Sequence, residues 1–374
     1  MKKIIVIIII ISLFPICGCW DRIEPEKKAT VIGGGFDYDL EKDMYKVIFQ
    51  IISPLQMTGA GQGGGNDKPN FWTVSAWGHS PYDAIANINK KVSRKISFSH
   101  AQIYLFSKKM AKTKGILPII NAVSRSRQSR RIITLGVVKG DVEKILSVKI
   151  PIESSNVIAL TRQIKLTMKE MGGVTIETVR DFMTRLVQPG IEPYMVGLEM
   201  IEDSLGENNE EKSSPDKDPV IRVTGKYMFE DDKLVGFLDD RETRGCNWLV
   251  GNVRSGTLVL HYPGKVENKV DVIATQGTSE IKPSFKNGQP MINIKIKASG
   301  RIVNITGLSE IKDESKITES LNKQMAQVIK NDIKMAIKMA QICETDVFGF
   351  GFAFYRLLPD KWDQMKDDWD SFFS

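Results

Sequence analysis

Short apolar runs alternate with longer amphipathic stretches along most of the chain, and this alternation is typical of a mixed α and β protein. The β-rich runs Ala29–Asp37 and Met44–Ile52 flank the polar segment Leu40–Asp43. Because a short polar segment between two such runs favours a tight turn, this region is predicted to form a hairpin that begins the first sheet.

The segment after this hairpin carries a helix start signal. Ser80 is a typical N-cap, Pro81 suits the first helical position, and Asp83 places an acid in the first turn. Ala84 and Ile88 follow at helical spacing, which predicts one buried face. Further along, the pattern predicts strands over Ser97–Phe106 and Ile132–Val138 and helices over Met110–Ser124, Ser155–Met171 and Thr175–Val187.

Four more strand patterns follow in the last part of the chain, and they favour an antiparallel sheet. A long helix, with apolar residues at spacings of three and four from Ile317 to Ala340, is predicted to pack on it. The four strand patterns cover Val220–Phe229, Ser255–Tyr262, Lys269–Ala274 and Met291–Ala298.

A polar, acid-rich segment over Ile201–Pro219 separates these two parts of the chain. It has hardly any apolar residue, so it is predicted to be a solvated linker and a domain boundary. The expected fold is α+β and multi-domain, each domain having a mixed or antiparallel sheet flanked by helices. The predicted divisions are an N-terminal region, 19–200, of one or two subdomains, the linker, 201–219, and a C-terminal domain, 220–374.

The first residues read as an export signal. Lys2 and Lys3 precede an apolar run of about 13 residues, which is shorter than the roughly 20 needed to cross a bilayer. Ile16, Gly18 and Cys19 then resemble the bacterial lipobox, in which a diacylglyceryl group is attached to the cysteine and the chain is cut before it. We therefore expect residues 1–18 to be a lipoprotein signal peptide and Cys19 to be a lipidated N-terminus, held by more than one acyl chain. An uncleaved apolar N-terminus and plain secretion remain the alternatives.

Charge and cysteine content change this picture little. The formal net charge is +7, and loss of the signal would remove two of the lysines. Such mild basicity suits a protein near anionic lipid. Cys246 and Cys343 are the cysteines left after lipidation and cleavage, and two separate buried thiols are favoured over one bridge.

Candidate catalytic chemistry is sparse. His79, His100 and His261 lie in different predicted elements without further ligands at metal-binding spacing. The glycine-dense segment Thr58–Asp67 lacks the Gly-Lys-Ser/Thr ending of a phosphate loop, and no Gly-x-Ser-x-Gly elbow occurs. We therefore expect no enzyme activity, no metal and no cofactor.

The densest positive cluster is Ser-Arg-Ser-Arg-Gln-Ser-Arg-Arg, with Arg125, Arg127, Arg130 and Arg131. An exported protein meets little nucleic acid, and no aromatic residues are interleaved for base stacking, so nucleic acid is not the expected partner. The cluster is predicted to contact lipid phosphates or an acidic partner surface. A solvated helix end with ion pairs is an equally good interpretation.

Several blocks, taken together and in order, resemble the Ger(x)C family, the lipoprotein C subunits of spore germinant receptors. The blocks are Gly18–Arg22, Val31–Asp37, Phe98–Gln102, Gly190–Pro193, Arg244–Gly251, Asp346–Gly351 and Leu358–Trp362. They extend over essentially the whole chain, and Cys246 departs from the bulkier residue expected in its block.

The resemblance implies a lipid-anchored subunit on the outer face of the spore inner membrane, assembled with membrane-embedded A and B subunits that together respond to small nutrients. It also implies separate α/β domains, which agrees with the pattern above. The expected role is a scaffold that holds A and B, with a tether that raises the effective concentration of the partners.

Aromatic residues are the other candidates for partner contact. Trp248 and Trp362 are the foremost of them, although burial in cores would account for most of the set. The full set is Trp77, Trp248, Phe350, Phe352, Tyr355, Trp362 and Trp369.

Two other functional classes stay open on the sequence. A lipid-anchored protein that itself binds a small nutrient would need a cleft lined by polar groups. An envelope hydrolase would need paired carboxylates or a metal site, for which the sequence offers no pattern.

Overall fold

The computed structural model of the protein contains two β-sheets with helices packed around them. It describes residues 27–52, 71–125, 129–148, 150, 153, 155–171, 176–201, 219–251, 253, 255–263, 265–306 and 314–374. Cys19, Arg127 and the acidic segment 202–218 lie outside these residues.

Within the described residues, the first sheet has nine strands in the order β3-β2-β1-β5-β6-β7-β8-β9, with β4 also paired to β1. Its central strands β1, β5, β6 and β7 run parallel, and both flanks are antiparallel. The strands are β1 Lys28–Asp39, β2 Met44–Ile52, β3 Phe71–Gly78, β4 Lys95–Ser97, β5 Ile103–Ser107, β6 Thr134–Lys139, β7 Tyr194–Ile201, β8 Val220–Glu230 and β9 Lys233–Leu238.

Helices cover both faces of this sheet, so its central strands are apolar on both sides. Tyr104 and Phe106 point into one core, whereas Ile103 and Leu105 point into the other, as strand alternation requires. The helices are α1 Pro81–Asn89, α2 Lys108–Thr113, α3 Leu117–Arg125 and α6 Val179–Val187 on the first face, and α4 Val142–Ser147 and α5 Asn156–Leu166 on the second.

The second sheet is antiparallel, with the order β10-β11-β12. Residues Ile317, Leu321 and Met325 of the long helix α8 pack on it, and its later half packs against α7. These elements are β10 Thr257–Tyr262, β11 Lys265–Lys286, β12 Gln289–Ile305, α7 Asp240–Leu249 and α8 Glu314–Ile342, and the chain ends with α9 Phe350–Leu357, α10 Pro359–Trp362 and α11 Trp369–Phe373.

Local capping explains where several helices begin. The predicted start at Ser80 is confirmed, because its side chain accepts the Asp83 N–H and Pro81 is the first helical residue. Thr178 and Asp239 each form a capping box with the acid three residues later.

The α+β class is confirmed, but two expectations about its parts are wrong. Val220–Glu230 pairs with β7 in the first sheet and does not belong to the second, so segment 202–218 joins neighbouring strands of one sheet. The helix expected over Met110–Ser124 is interrupted at Gly115, which has φ +78°. The interruption is stabilised by Asp232, whose backbone carbonyl accepts the Ile116 N–H and whose carboxylate accepts the Leu117 N–H.

Candidate functional site

Three of the sequence blocks described above meet where the first sheet packs against the C-terminal helices. The segment Gly190–Pro193, which leads into β7, lies against Asp346–Phe352, which leads into α9. The Glu192 N–H donates to the Asp346 carbonyl at 2.9 Å, and the Phe352 N–H donates to the Gly190 carbonyl at 2.8 Å. We call these two segments, together with Trp362 and Trp369, the junction.

The Asp346 carboxylate organises the junction. Its Oδ1 accepts the N–H groups of Phe348, Gly349 and Phe350 at 3.2, 2.9 and 3.1 Å. Its Oδ2 accepts the Gly351 N–H at 2.7 Å and the Trp369 indole N–H at 3.2 Å. Burial raises the pKa of Asp346 to about 6, although these N–H donors oppose the rise. One side chain therefore holds the start of α9 and the last helix together.

The two backbones of the junction approach so closely that glycine is needed. Gly190 has φ +65°, and a Cβ there would lie 2.6 Å from both the Gly351 carbonyl carbon and the Trp362 ring. A Cβ on Gly351 would lie 2.8 Å from the Gly190 Cα and from the Trp369 ring. Any side chain at either position would separate the sheet from the C-terminal helices.

A group of charges adjoins the junction, with Glu177 and Lys226 buried and Arg185 partly buried, and we call these three residues the ion cluster. Arg185 Nε lies 3.8 Å from Glu177 Oε2, and the Arg185 guanidinium donates to the Val347 carbonyl at 3.2 Å. Its other terminal nitrogen donates to the Tyr194 hydroxyl at 3.2 Å. Arg185 therefore connects helix α6 to the junction.

Lys226 is the most unusual member of the ion cluster, because its side chain is fully buried. Its ammonium donates to Asn247 Oδ1 at 2.7 Å, lies 3.5 Å from Cys246 Sγ and stands 3.9 Å from the centre of the Tyr194 ring. Burial lowers the pKa of Lys226, and the neighbouring Cys246 and Glu177 oppose that change. These contacts link β8 to α7, whose residues belong to a fourth block, Arg244–Gly251.

The aromatic candidates divide into buried and exposed residues. Trp248 and Trp362, the foremost of them, are 1% and 4% exposed, so the interpretation that their side chains contact a partner is wrong. They fill cores because their large rings offer more apolar surface than any neighbour. Tyr355 is 44% exposed, and its ring stacks on the half-buried Phe352 at 6.0 Å. Phe350 and Trp369 are also buried, and Trp77 is half-buried.

Of the predicted arginine cluster, Arg125 ends α3 and is exposed, and Arg130 and Arg131 are exposed just before β6. The structure therefore leaves their side chains accessible. Their contact with lipid or a partner stays a prediction, as does the lipidation of Cys19.

Sequence reasoning missed the ion cluster and the role of Asp346. Lys226 did carry a signal, since it stands between Gly225 and Tyr227, directly before the apolar end of a β-rich run. Both Cys246 and Cys343 are free thiols in the structure. Among the described residues, no group of three or more His, Cys, Asp or Glu side chains is placed to hold a metal ion. The helices in the part of the chain that the structure describes include none that is long and apolar enough to cross a membrane.

Two domain families match the chain in sequence. The family described as "Spore germination protein N-terminal domain" matches residues 21–200. The family described as "Spore germination B3/ GerAC like, C-terminal" matches residues 224–374. The two matches follow one another and cover most of the chain.

Individual proteins match over nearly the full length. Spore germination protein KC of Bacillus subtilis (strain 168) is 26% identical over 99% of this chain and 91% of its own. Spore germination protein B3 of the same organism is 22% identical over 97% of this chain and 91% of its own.

A solved structure shares the fold. The crystal structure of the GerBC protein superimposes with a TM-score of 0.52 at 19% sequence identity, over 91% of this chain and 93% of that one. The matched domain families, the full-length relatives and the common fold lead to one conclusion, that this chain belongs to the Ger(x)C family of GerAC-like spore germination proteins.

Proposed function

We propose that this protein is the lipid-anchored C subunit of a nutrient germinant receptor in the spore inner membrane. In this role it holds the membrane-embedded A and B subunits and catalyses no reaction. The observation that carries the proposal is the end-to-end similarity to proteins named for spore germination, across both matched domains. Those families are described by a role in germination and not by a reaction.

Cys19 is the proposed anchor. Its support is the sequence alone: an apolar run behind two lysines, then Gly18 and Cys19, ahead of the first matched domain at residue 21. Two or more acyl chains would keep the protein on the outer face of the membrane.

The second sheet supports a particular orientation at that membrane. Lys282, Lys295 and Lys297 are exposed on the face of the β11–β12 hairpin opposite to the one that packs on α8 and α9. Between residues 275 and 306, Glu280 is the only acidic residue, and it pairs with Lys282 at 2.7 Å. The same face also exposes Lys286 and Arg301. We propose that this basic face lies towards anionic lipid headgroups, which attract clustered lysines by roughly 1 kcal/mol each.

The junction and the ion cluster support the scaffold role. Through hydrogen bonds they join β8 to α7, helix α6 to Val347, and the segment before β7 to the segment that leads into α9. A molecule made rigid by these contacts would keep its own partner-binding surfaces at fixed distances from one another. We propose that the stacked pair Phe352 and Tyr355 on α9 contacts an A or B subunit. Among the candidate aromatic residues we choose this pair because Tyr355 is exposed.

The proposal is tested in spores that rely on this chain for their response to one nutrient. Four strains are compared: wild type, a deletion, Cys19→Ala and Cys17→Ala. Cys17 is the matched control, because it is also a cysteine of the signal region but would be removed with the signal. Nutrient-triggered release of dipicolinate is measured, and a trigger that bypasses receptors controls for spore integrity.

We expect the deletion and Cys19→Ala to fail with the nutrient and to respond normally to the bypass trigger, while Cys17→Ala behaves like wild type. A normal nutrient response in the deletion strain, with no sister receptor present, contradicts the germination role. A normal response in Cys19→Ala alone contradicts the anchor and leaves the receptor role intact.

A further inference from the structure

An apolar cavity of about 140 Å³ lies between helices α1 and α3, above the first face of the first sheet. Phe36, Phe49 and Tyr104 form its floor, and Phe98 closes one side. Phe36 and Phe98 belong to two sequence blocks, Val31–Asp37 and Phe98–Gln102, that the junction does not use. Residues from both blocks therefore line the same cavity.

The cavity walls are aromatic and held in fixed orientations. The Phe49 and Phe98 rings pack edge to face at 5.2 Å and 71°, and the Phe36 and Tyr104 rings do so at 5.4 Å and 77°. A Cβ on Gly34 would lie 2.9 Å from the Tyr104 ring, so glycine at this position lets Tyr104 lie flat against the strand. The resulting space suits a further ring, which could make the same edge-to-face contacts.

Tyr82 stands at the cavity's edge. Its side chain is 57% exposed, and its hydroxyl donates to the Ala122 carbonyl at 3.2 Å, so it reaches from α1 to α3. Rotation of Tyr82 would cost one hydrogen bond that water can replace. A ligand could therefore enter past Tyr82 at a small cost in free energy.

Two residues with hydroxyl groups, Ser129 and Tyr104, lie side by side in the cavity wall. Ser129 lines the cavity, and its hydroxyl oxygen is buried without a hydrogen-bond partner among the described residues. It lies beside Tyr104: burial raises the pKa of Tyr104 to about 12, so that the phenol stays neutral, and the Ser129 hydroxyl opposes part of that rise. Burial of a hydroxyl without a hydrogen bond is unfavourable, and a ligand with one hydrogen-bonding group would supply the missing partner.

Size and charge narrow the class of ligand. An apolar cavity of about 150 Å³ is known to hold a benzene molecule. None of the described residues that line this cavity is charged. An amino acid zwitterion or a carboxylate would lose its hydration there without gaining a counter-charge.

We propose that this cavity binds a small, neutral aromatic molecule with one hydroxyl group, its ring against Phe36, Phe49 and Phe98 and its hydroxyl at Ser129. This binding function is additional to the scaffold role and does not depend on it.

Phenol and toluene are the probes, since they have the same ring and differ in one hydroxyl. Their dissociation constants are measured by ligand-observed NMR on the full chain in lipid nanodiscs, with empty nanodiscs as the reference. The variants are Ser129→Ala, which removes the hydroxyl, and Ala122→Phe, which fills the cavity. Ala326→Phe, on an exposed position of α8, is the matched control.

We expect saturable binding of phenol to wild type, about 5- to 10-fold tighter than toluene, as one added hydrogen bond implies. Ser129→Ala should reduce this difference to less than 2-fold, and Ala122→Phe should abolish binding of both probes while Ala326→Phe does not. No saturable binding, or equal affinities for phenol and toluene in wild type, would overturn the proposal. Ser129→Ala removes only one oxygen, so the proposal stays testable even where Ala122→Phe fails to fold.

Discussion

The indole N–H of Trp369 donates to the Asp346 carboxylate at 3.2 Å, although 23 residues separate them in the chain. This contact attaches the last helix to the segment that begins α9. The same carboxylate accepts four backbone N–H groups. The C-terminal end of the protein is thus organised around one buried acid.

At pH 7, where the Asp346 carboxylate is ionised, Asp346→Asn should destabilise the protein by roughly 2–4 kcal/mol, because an amide NH₂ in place of one oxygen would face N–H donors. Urea unfolding followed by tryptophan fluorescence measures the change. Asp367→Asn, at an exposed position nearby, is the control and should have little effect. Equal stabilities of the two variants would contradict the organising role of Asp346.

The destabilisation caused by Asp346→Asn should depend on pH. The pKa of Asp346 is raised from 3.8 to about 6, so between these values the folded state binds a proton that the unfolded state has lost. The contribution of Asp346 to stability is therefore full below about pH 4 and decreases as pH rises to about 6, by up to about 3 kcal/mol. The difference in unfolding free energy between wild type and the variant should narrow over this range. A difference that widens with pH would mean that the N–H donors outweigh burial and lower the pKa.

Gly190→Ala and Gly288→Ala should differ although both glycines have a positive φ, of +65° and +81°. Alanine pays about 1–2 kcal/mol for this conformation at either position. At Gly288 a Cβ meets nothing within 4 Å, whereas at Gly190 it would clash with Gly351 and Trp362. We expect Gly190→Ala to lose a further 1–3 kcal/mol or more in urea unfolding. Similar losses for both variants would show that the junction adjusts to a side chain.

Glu177→Gln should destabilise the protein more than Lys226→Met. The ion cluster places one carboxylate, Glu177, near the buried Lys226 and the largely buried Arg185, so loss of Glu177 removes the counter-charge of both cations, at a cost of roughly 3–5 kcal/mol. Lys226→Met removes the excess cation and keeps most of the side-chain volume, so we expect a change of less than about 2 kcal/mol. Thermal and urea unfolding of both variants measure the order, and the reverse order would contradict this account of the charges.

The basic face should give the protein a preference for anionic lipid. Replacing Lys282, Lys295 and Lys297 by Gln should reduce the ratio of binding to anionic over neutral vesicles by about 10-fold or more at low salt. The matched control replaces the exposed α8 residues Lys323, Lys330 and Lys338 by Gln, which changes the net charge equally. Vesicle co-sedimentation of the full chain measures both ratios. An equal reduction in both variants would mean that only net charge matters and would contradict the proposed orientation.

Elements whose signals lie within a few residues could be predicted from the sequence. The hairpin of β1 and β2, the cap at Ser80 and the apolar stripe of α8 all depend on neighbouring residues, and the structure confirms them. The prediction that Trp248 and Trp362 contact a partner was wrong because aromatic residues are common both in cores and in interfaces. Residue type alone does not distinguish the two environments.

By itself, the sequence determined the α+β class, the positions of most helices and strands, and the ordered blocks that mark the family. Only the tertiary structure decided that β8 joins the first sheet, that Lys226 is buried beside Tyr194, and that the cavity forms over Phe36 and Tyr104. The physical reason is distance along the chain. Capping and periodicity act within a few residues, whereas strand pairing and polar burial depend on contacts such as the one between Arg185 and Val347, 162 residues apart.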